Sequence, residues 1–139
     1  MRPEPLKAVQ SPLARVLVVD DAHGMRTYLS TVLIAAGYEC QEAADGAEAF
    51  NIILAGAIDV VLTDLDMPVM DGFQLLAAIA VLPALARPPV VVVSALLDGG
   101  PAQMRPELRL ASSLLAKPVQ PDALIRAINR TLGDVSAFG

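Results

Sequence analysis

The chain has 139 residues, a formal net charge of −5 at pH 7 and a hydrophobic content of 55%. These values fit one domain with a single packed core and leave no room for a second folded domain. The negative charge argues against direct binding of nucleic acid, because nucleic-acid-binding proteins usually carry a basic face.

The two ends of the chain are expected to lie outside the folded domain. The first residues, MRPEPLKAVQSP, contain no apolar run long enough for a signal peptide, so we expect a cytoplasmic protein. Their prolines predict a flexible extension over residues 1–13, and residues 134–139 are expected to form a flexible tail. One domain over residues 14–133 remains. The longest uncharged stretch, residues 72–86, is short and contains Pro83, so no membrane association is predicted.

Five segments predict β-strands. Four of them are short apolar runs, which are typical of strands buried on both faces of a sheet. The remaining segment, residues 38–43, alternates between apolar and polar residues and suits a position nearer the sheet edge. In chain order the predicted strands cover residues 15–19, 38–43, 58–63, 89–93 and 113–116.

Segments with helical spacing of apolar residues follow the strands. Asp45 is predicted to cap the second helix, Pro121 suits the first turn of the last helix, and Gly133 is predicted to end it. The predicted inward faces carry Leu29, Val32, Leu33 and Ala36; Ala49, Phe50, Ile53 and Leu54; Phe73, Leu76, Ile79 and Ala80; and Leu124, Ile125, Ile128 and Leu132.

The segment over residues 99–111 is also predicted to be helical, although Pro101 and Pro106 interrupt its pattern. Strands and helices then alternate five times. Right-handed crossovers convert that alternation into an open parallel sheet with helices on both faces. We therefore predict a flavodoxin-like, doubly wound (βα)5 domain of the α/β class, with strand order 2-1-3-4-5.

Unusual polar residues follow the predicted strands. Asp20 and Asp21 end the first strand, Asp64 follows the third, Ser94 the fourth and Lys117 the fifth. Because the carboxyl ends of parallel strands meet at one edge, these side chains should converge there. Two carboxylates about 4 Å apart repel by roughly 4 kcal/mol at an effective dielectric of about 20, so a cation is needed. An all-oxygen ligand set favours Mg²⁺.

The chemistry of this set suits phosphoryl transfer to a carboxylate. Asp64 beside Mg²⁺ can attack phosphorus and form an acyl phosphate. The Lys117 ammonium and the Ser94 hydroxyl can then bind the transferred oxygens. Individually these residues have ordinary interpretations, since Lys117 would usually be solvated and Ser94 would usually cap the next segment. The prediction depends on their combination, and the single histidine, His23, is assigned no chemistry.

Several motifs, in order and at matching spacing, resemble the receiver domains of two-component response regulators. They are VLVVDDAHGMR, GYECQEAADGAEAF, VVLTDLDMPVMDG, VVVSA and LLAKPV, and the resemblance spans residues 15–132. It implies that Asp64 is the phosphoacceptor, that Asp20 and Asp21 hold Mg²⁺, and that the backbone carbonyl of Asp66 completes the protein's ligands. It also implies that Ser94 and Lys117 bind the phosphoryl oxygens and that the peptide bond between Lys117 and Pro118 is cis.

The resemblance further implies a switch region and partners. In the family, phosphorylation draws the Ser/Thr hydroxyl inward, and an aromatic residue of the fifth strand follows it. Ser94 and the small Ala95 match this pattern, but Leu114 stands where the aromatic residue is usual. We therefore hypothesise that coupling passes through rearrangement of residues 96–111. The implied partners are a sensor histidine kinase or histidine phosphotransfer protein, a downstream protein target, and a second copy of the chain on phosphorylation.

Two other functions compete with this interpretation. The absence of the aromatic residue at Leu114 allows a pseudo-receiver, which binds partners without being phosphorylated. Asp64 and Asp66 after an apolar strand also resemble the nucleophile and acid/base pair of haloacid-dehalogenase-type phosphatases. Those enzymes place their metal-binding acidic pair after the lysine, whereas Asp20 and Asp21 precede the other site residues here. We thus expect a phosphoacceptor signalling protein that is not an enzyme with a separate substrate.

Overall fold

The computed structural model describes residues 13–136, and its centre is a five-stranded sheet. All four strand pairs are parallel, and the spatial order is β2-β1-β3-β4-β5, which confirms the predicted topology. Each predicted strand agrees with the observed one to within two residues. The strands are β1 (Arg15–Val19), β2 (Glu39–Ala43), β3 (Val60–Thr63), β4 (Val90–Ser94) and β5 (Ser113–Ala116).

Helices cover both faces of the sheet. They are α1 (His23–Ala35), α2 (Gly46–Ala55), α3 (Gly72–Ala80) and α4 (Pro121–Ser136). Helices α1 and α4 pack on one face with Val16 and Val18 of β1, and α2 and α3 pack on the other with Leu17 and Val19. This alternation follows from the period of two in a strand, which sends successive side chains to opposite faces. Within residues 13–136 no helix is long and apolar enough to cross a membrane.

The connection between β4 and β5 differs from the prediction. Residues 99–111 form no α-helix; two short 3₁₀ turns, Pro101–Met104 and Pro106–Leu110, occupy this stretch, and a third, Ala95–Leu97, precedes it. Pro101 and Pro106 each begin a turn, because proline has no amide hydrogen and its ring clashes with the preceding turn of an α-helix. We call residues 95–110 the 3₁₀ segment. Residues 13–136 therefore contain five strands and four α-helices.

Two details of the helix prediction were also wrong. Leu54 does not face inward but is 58% exposed, because the buried face of α2 is formed by Gly46, Ala49 and Ile53. Helix α4 does not end at Gly133 but continues to Ser136, since a glycine raises the free energy of a helix by only about 1 kcal/mol relative to alanine.

The predicted extension at the amino end lies outside the described residues except for Leu13. The Leu13 amide donates a hydrogen bond to the Gly37 carbonyl at 3.1 Å, which places Leu13 beside the start of β2. Residues 137–139 of the predicted tail lie outside the described residues as well. The proposed boundaries of the domain stay predictions.

Candidate functional site

Asp20 and Asp21 lie at the carboxyl end of β1, which is an inner strand of the sheet. Asp20 is buried and Asp21 is exposed. The Asp20 carboxylate accepts a hydrogen bond from the Ala22 amide at 2.9 Å, and its backbone carbonyl accepts one from Arg26 Nη1 at 2.7 Å. These contacts fix Asp20 at the point where the strand ends and α1 begins.

Asp64 directly follows β3, the strand that lies next to β1. Its amide donates to the Val19 carbonyl at 3.0 Å, which aligns the end of β3 with the end of β1. Asp64 is 8% exposed, and its Oδ1 accepts a hydrogen bond from the Leu65 amide at 2.6 Å. Gly72, the first residue of α3, packs against the backbone here: a Cβ atom at Gly72 would lie 2.2 Å from the Asp64 carbonyl oxygen. The first residue of α3 therefore encloses the backbone of Asp64 on this side.

Lys117 joins the two strand ends. Its Nζ donates to Asp20 Oδ2 at 2.8 Å and to Asp64 Oδ2 at 3.0 Å. Its own amide donates to the Ser94 carbonyl at 3.1 Å, and the peptide bond between Lys117 and Pro118 is cis, as the resemblance implied. Burial lowers the pKa of Lys117, but the hydrogen bonds and negative charges of the two carboxylates outweigh burial and raise that pKa above its ordinary value. Lys117 is therefore an ammonium ion at neutral pH.

The three carboxylates form a cluster that fits a divalent cation. Asp20, Asp21 and Asp64 each offer an oxygen, and these oxygens all lie within 4.8 Å of one another. One ammonium, that of Lys117, does not neutralise three carboxylates. The donors are hard oxygens without histidine or cysteine, which is the ligand set that Mg²⁺ prefers.

The three residues of the predicted switch region lie on β4, on β5 and in the 3₁₀ segment. Ser94 is buried, and its hydroxyl accepts a hydrogen bond from the Leu96 amide at 3.2 Å, so it caps the following turn. Ala95 is exposed at the top of β4. Leu114 lies on β5 and is 46% exposed, at the rim of a groove of about 590 Å³ that Met104 and Arg105 also line. Ser94 thus adopts its ordinary capping role in this state while lying at the predicted edge.

Asp66 and His23 lie at the periphery. Asp66 is exposed, and its amide lies 3.5 Å from Asp64 Oδ1, at the outer limit of a hydrogen bond. His23 is exposed on the first turn of α1, where its Nδ1 lies 3.3 Å from Arg26 Nη2. The ligand role of the Asp66 carbonyl stays a prediction.

Three residues near the site were missed from the sequence. Gly72 could have been found, because it directly follows the Asp71 cap of a capping box that begins α3. Arg26 and Tyr28 carry no such signal, since their partners are a backbone carbonyl of Asp20 and one of Val119. Because every residue has a backbone carbonyl, a contact to one cannot be predicted from the residue types in the sequence.

Comparison with known proteins identifies the family. The family model described as response regulator receiver domain matches residues 16–129 of the chain. The chain belongs to this family. Among the relatives of this receiver domain, the chemotaxis protein CheY of Bacillus subtilis (strain 168) is 35% identical over 120 residues, which cover 85% of this chain and 97% of CheY.

Other relatives are much longer proteins. The sensor histidine kinase RcsC of Salmonella typhi is 41% identical over 109 residues, which cover 78% of this chain but 11% of the kinase. The gliding motility regulatory protein of Myxococcus xanthus is 40% identical over 90 residues, covering 63% of this chain and 12% of that protein. The receiver domain thus spans about a tenth of these relatives' length.

Solved structures agree with the fold. The chemotaxis response regulator CheY4 of Vibrio cholerae superposes with a TM-score of 0.76 at 33% identity, covering 86% of this chain and 98% of that one. A response regulator receiver domain protein from Clostridium thermocellum gives a TM-score of 0.78 at 27% identity, with coverage of 91% and 100%. The receiver fold therefore extends over nearly the whole described chain.

Proposed function

We propose that this receiver domain accepts a phosphoryl group on Asp64 in a Mg²⁺-dependent reaction and thereby changes a surface that another protein recognises. One observation carries the proposal: a single ammonium, Lys117 Nζ, lies 2.8 Å from Asp20 and 3.0 Å from Asp64, in a cluster that Asp21 completes. Nucleophile, cation-binding carboxylates and a donor for the transferred oxygens are thus assembled at one strand edge.

The proposed reaction is a displacement at phosphorus. An oxygen of the Asp64 carboxylate forms a bond to phosphorus, the bond between phosphorus and the donor breaks, and the leaving group departs with that electron pair. The Lys117 ammonium donates to the phosphoryl oxygens as negative charge gathers on them, and the Ser94 hydroxyl becomes a further donor if it leaves the Leu96 amide. The chain transforms no separate substrate in this scheme, so we regard it as a signalling protein and not an enzyme.

Asp20, Asp21 and Asp64 would hold Mg²⁺ through carboxylate oxygens, with the Asp66 carbonyl as a fourth protein ligand. When bound, Mg²⁺ supplies positive charge that offsets the repulsion between carboxylates and phosphate. Asp20 is held for this role by the Ala22 amide, and Asp64 by the Leu65 amide. The carboxylates of Asp20 and Asp64 are thus oriented before any ligand arrives.

The first experiment measures intact mass after incubation with Mg²⁺ and acetyl phosphate. The proposal predicts the addition of one phosphoryl group to the wild-type protein and no addition when Mg²⁺ is removed with a chelator. Equal modification with and without the chelator would contradict the metal-dependent scheme.

The proposed partners follow from the family and from the relatives. A sensor histidine kinase or a histidine phosphotransfer protein would supply the phosphoryl group, and a downstream protein, or a second copy of the chain, would recognise the changed surface. The negative net charge of −5 supports a protein target over direct nucleic-acid binding, and a cytoplasmic location would suit such partners.

The surface that changes is proposed to be the 3₁₀ segment. It begins at Ser94, whose hydroxyl now holds the Leu96 amide, so drawing that hydroxyl toward a phosphoryl group would release the first turn. It is also tied to α3, because the Arg105 guanidinium lies 4.0 Å from the centre of the Phe73 ring. Phe73 follows Gly72, which touches the Asp64 backbone. Leu114 can take no part through a hydrogen bond of its side chain.

Hydrogen exchange tests this proposed switch. We expect amide protection in residues 95–110 to change when beryllofluoride, a phosphoryl mimic, is added with Mg²⁺, and we expect no change in Asp64→Asn. Unchanged protection of these residues in a wild-type protein that binds the mimic would contradict a switch at the 3₁₀ segment, whereas a wild-type protein that does not bind the mimic would favour the pseudo-receiver alternative.

A further inference from the structure

Tyr28 lies outside the carboxylate cluster and connects α1 to the backbone that follows Lys117. It lies on α1, the helix that begins directly after Asp20 and Asp21, and its hydroxyl donates a hydrogen bond to the Val119 carbonyl at 2.9 Å. Val119 is two residues beyond Lys117. From this geometry we propose that Tyr28 is a positioning residue for Lys117 in phosphoryl transfer, an inference that rests on the proposed function.

The Lys117 backbone is held on both sides. On the amino side, the Lys117 amide donates to the Ser94 carbonyl at 3.1 Å. On the carboxyl side, the Val119 side chain is buried among residues of α1 and α4, and the Val119 carbonyl accepts the hydrogen bond from the Tyr28 hydroxyl. Without Tyr28, the second attachment consists of apolar packing, which is not directional. The hydroxyl therefore fixes the direction in which the chain leaves Lys117.

The direction of this backbone matters because the lysine side chain is long. An ammonium on a flexible four-carbon stem is placed only as accurately as its backbone and its partners allow. Lys117 Nζ must stay near both Asp20 and Asp64 to donate to a phosphoryl group on Asp64. Because α1 begins directly after Asp20 and Asp21, the hydrogen bond from Tyr28 holds the backbone that follows Lys117 at a fixed position relative to Asp20.

Tyr28→Phe removes the hydroxyl and keeps the ring. We expect the rate of phosphorylation by acetyl phosphate at saturating Mg²⁺ to fall by about two- to tenfold, the range that one hydrogen bond provides. Mg²⁺ affinity should stay unchanged, because Tyr28 touches no carboxylate in the cluster.

Tyr38→Phe is a matched control. The Tyr38 hydroxyl hydrogen-bonds the Asn129 side chain on α4, so its loss also removes a hydrogen bond between distant parts of the chain. That contact does not involve residues 117–119. We expect Tyr38→Phe to lower the midpoint of thermal unfolding and to leave the phosphorylation rate within about twofold of wild type.

A double substitution separates positioning from general stabilisation. Lys117→Arg keeps a cation but changes its geometry, so it should react slowly yet measurably. If Tyr28 acts through Lys117, adding Tyr28→Phe to Lys117→Arg should lower the rate much less than Tyr28→Phe does alone. Equal fold losses in both backgrounds, or an unchanged rate in Tyr28→Phe, would overturn this inference and leave the proposed function standing. A wild-type protein that accepts no phosphoryl group would overturn both.

Discussion

Replacing Gly72 by alanine is expected to destabilise the domain by about 1–3 kcal/mol or more, the usual range for overpacking. The added Cβ would lie 2.2 Å from the Asp64 carbonyl oxygen and 2.7 Å from Leu65 Cα. Both are backbone atoms that cannot rotate away, unlike the end of a flexible side chain. Because the Gly72 amide also donates to the Leu65 carbonyl at 2.9 Å, the start of α3 cannot move outward without losing this hydrogen bond.

Chemical unfolding of Gly72→Ala and Gly24→Ala measures this effect against a matched control. Gly24 also lies in the first turn of a helix, but nothing lies within 4 Å of a Cβ placed there. Gly24→Ala should therefore be neutral or stabilising by up to about 1 kcal/mol, as helix propensity predicts. Equal stabilities of the two variants would show that α3 does not pack against the Asp64 backbone as described.

Lys117→Met is expected to lower the rate of phosphorylation by acetyl phosphate by roughly 10²-fold or more, the effect of removing one preorganised donor from a transition state. Methionine keeps much of the aliphatic stem and removes the ammonium that contacts Asp20 and Asp64. Mg²⁺ affinity should not fall, because the substitution removes a cation that competes for the same carboxylates. The combination of a slower reaction and undiminished Mg²⁺ binding is specific to a donor for the phosphoryl group.

The control for this charge change is Arg126→Met. Arg126 is exposed on α4 and pairs with Asp122 at 3.1 Å, so this variant loses the same unit charge away from the site. Exposed pairs of this kind contribute little to stability. Phosphorylation rates measured at saturating Mg²⁺ should therefore match wild type in Arg126→Met, and a comparable loss in both variants would mean that Lys117 acts only through net charge.

The residues at the strand ends could be predicted because topology alone brings them together. Once the apolar runs were recognised as parallel strands, Asp20, Asp64 and Lys117 had to meet at one edge. The alternation of strands and helices favoured the strand order 2-1-3-4-5 among the doubly wound folds, and the structure confirms that order. Capping of α2 by Asp45 is also confirmed, since its side chain accepts from the Glu48 amide.

The incorrect helix predictions arose where neighbouring residues favour different backbone structures. In residues 99–111, Met104, Leu108 and Ala111 have helical spacing, yet Pro101 and Pro106 leave only 3₁₀ turns. At Gly133 a helix was predicted to end but continues to Ser136, because glycine disfavours a helix only weakly.

Contacts that depend on tertiary geometry could not be predicted either. The Arg105 side chain over the Phe73 ring, 4.0 Å from its centre, joins the 3₁₀ segment to α3, and neither residue type indicates the other in the sequence. The hydrogen bond from Tyr28 to the Val119 carbonyl is of the same kind. Such contacts decide how the site is supported, and they became visible only in the folded chain.

Intact mass of wild type, Asp64→Asn and Asp66→Asn after incubation with Mg²⁺ and acetyl phosphate tests whether Asp64 accepts the phosphoryl group. Asp66→Asn is the matched control, because it loses an acidic side chain two residues away and keeps the backbone carbonyl. We expect one added phosphoryl group on wild type and on Asp66→Asn, and none on Asp64→Asn. Addition to Asp64→Asn, or no addition to wild type from either acetyl phosphate or a phosphorylated histidine kinase, would contradict phosphoryl transfer to Asp64.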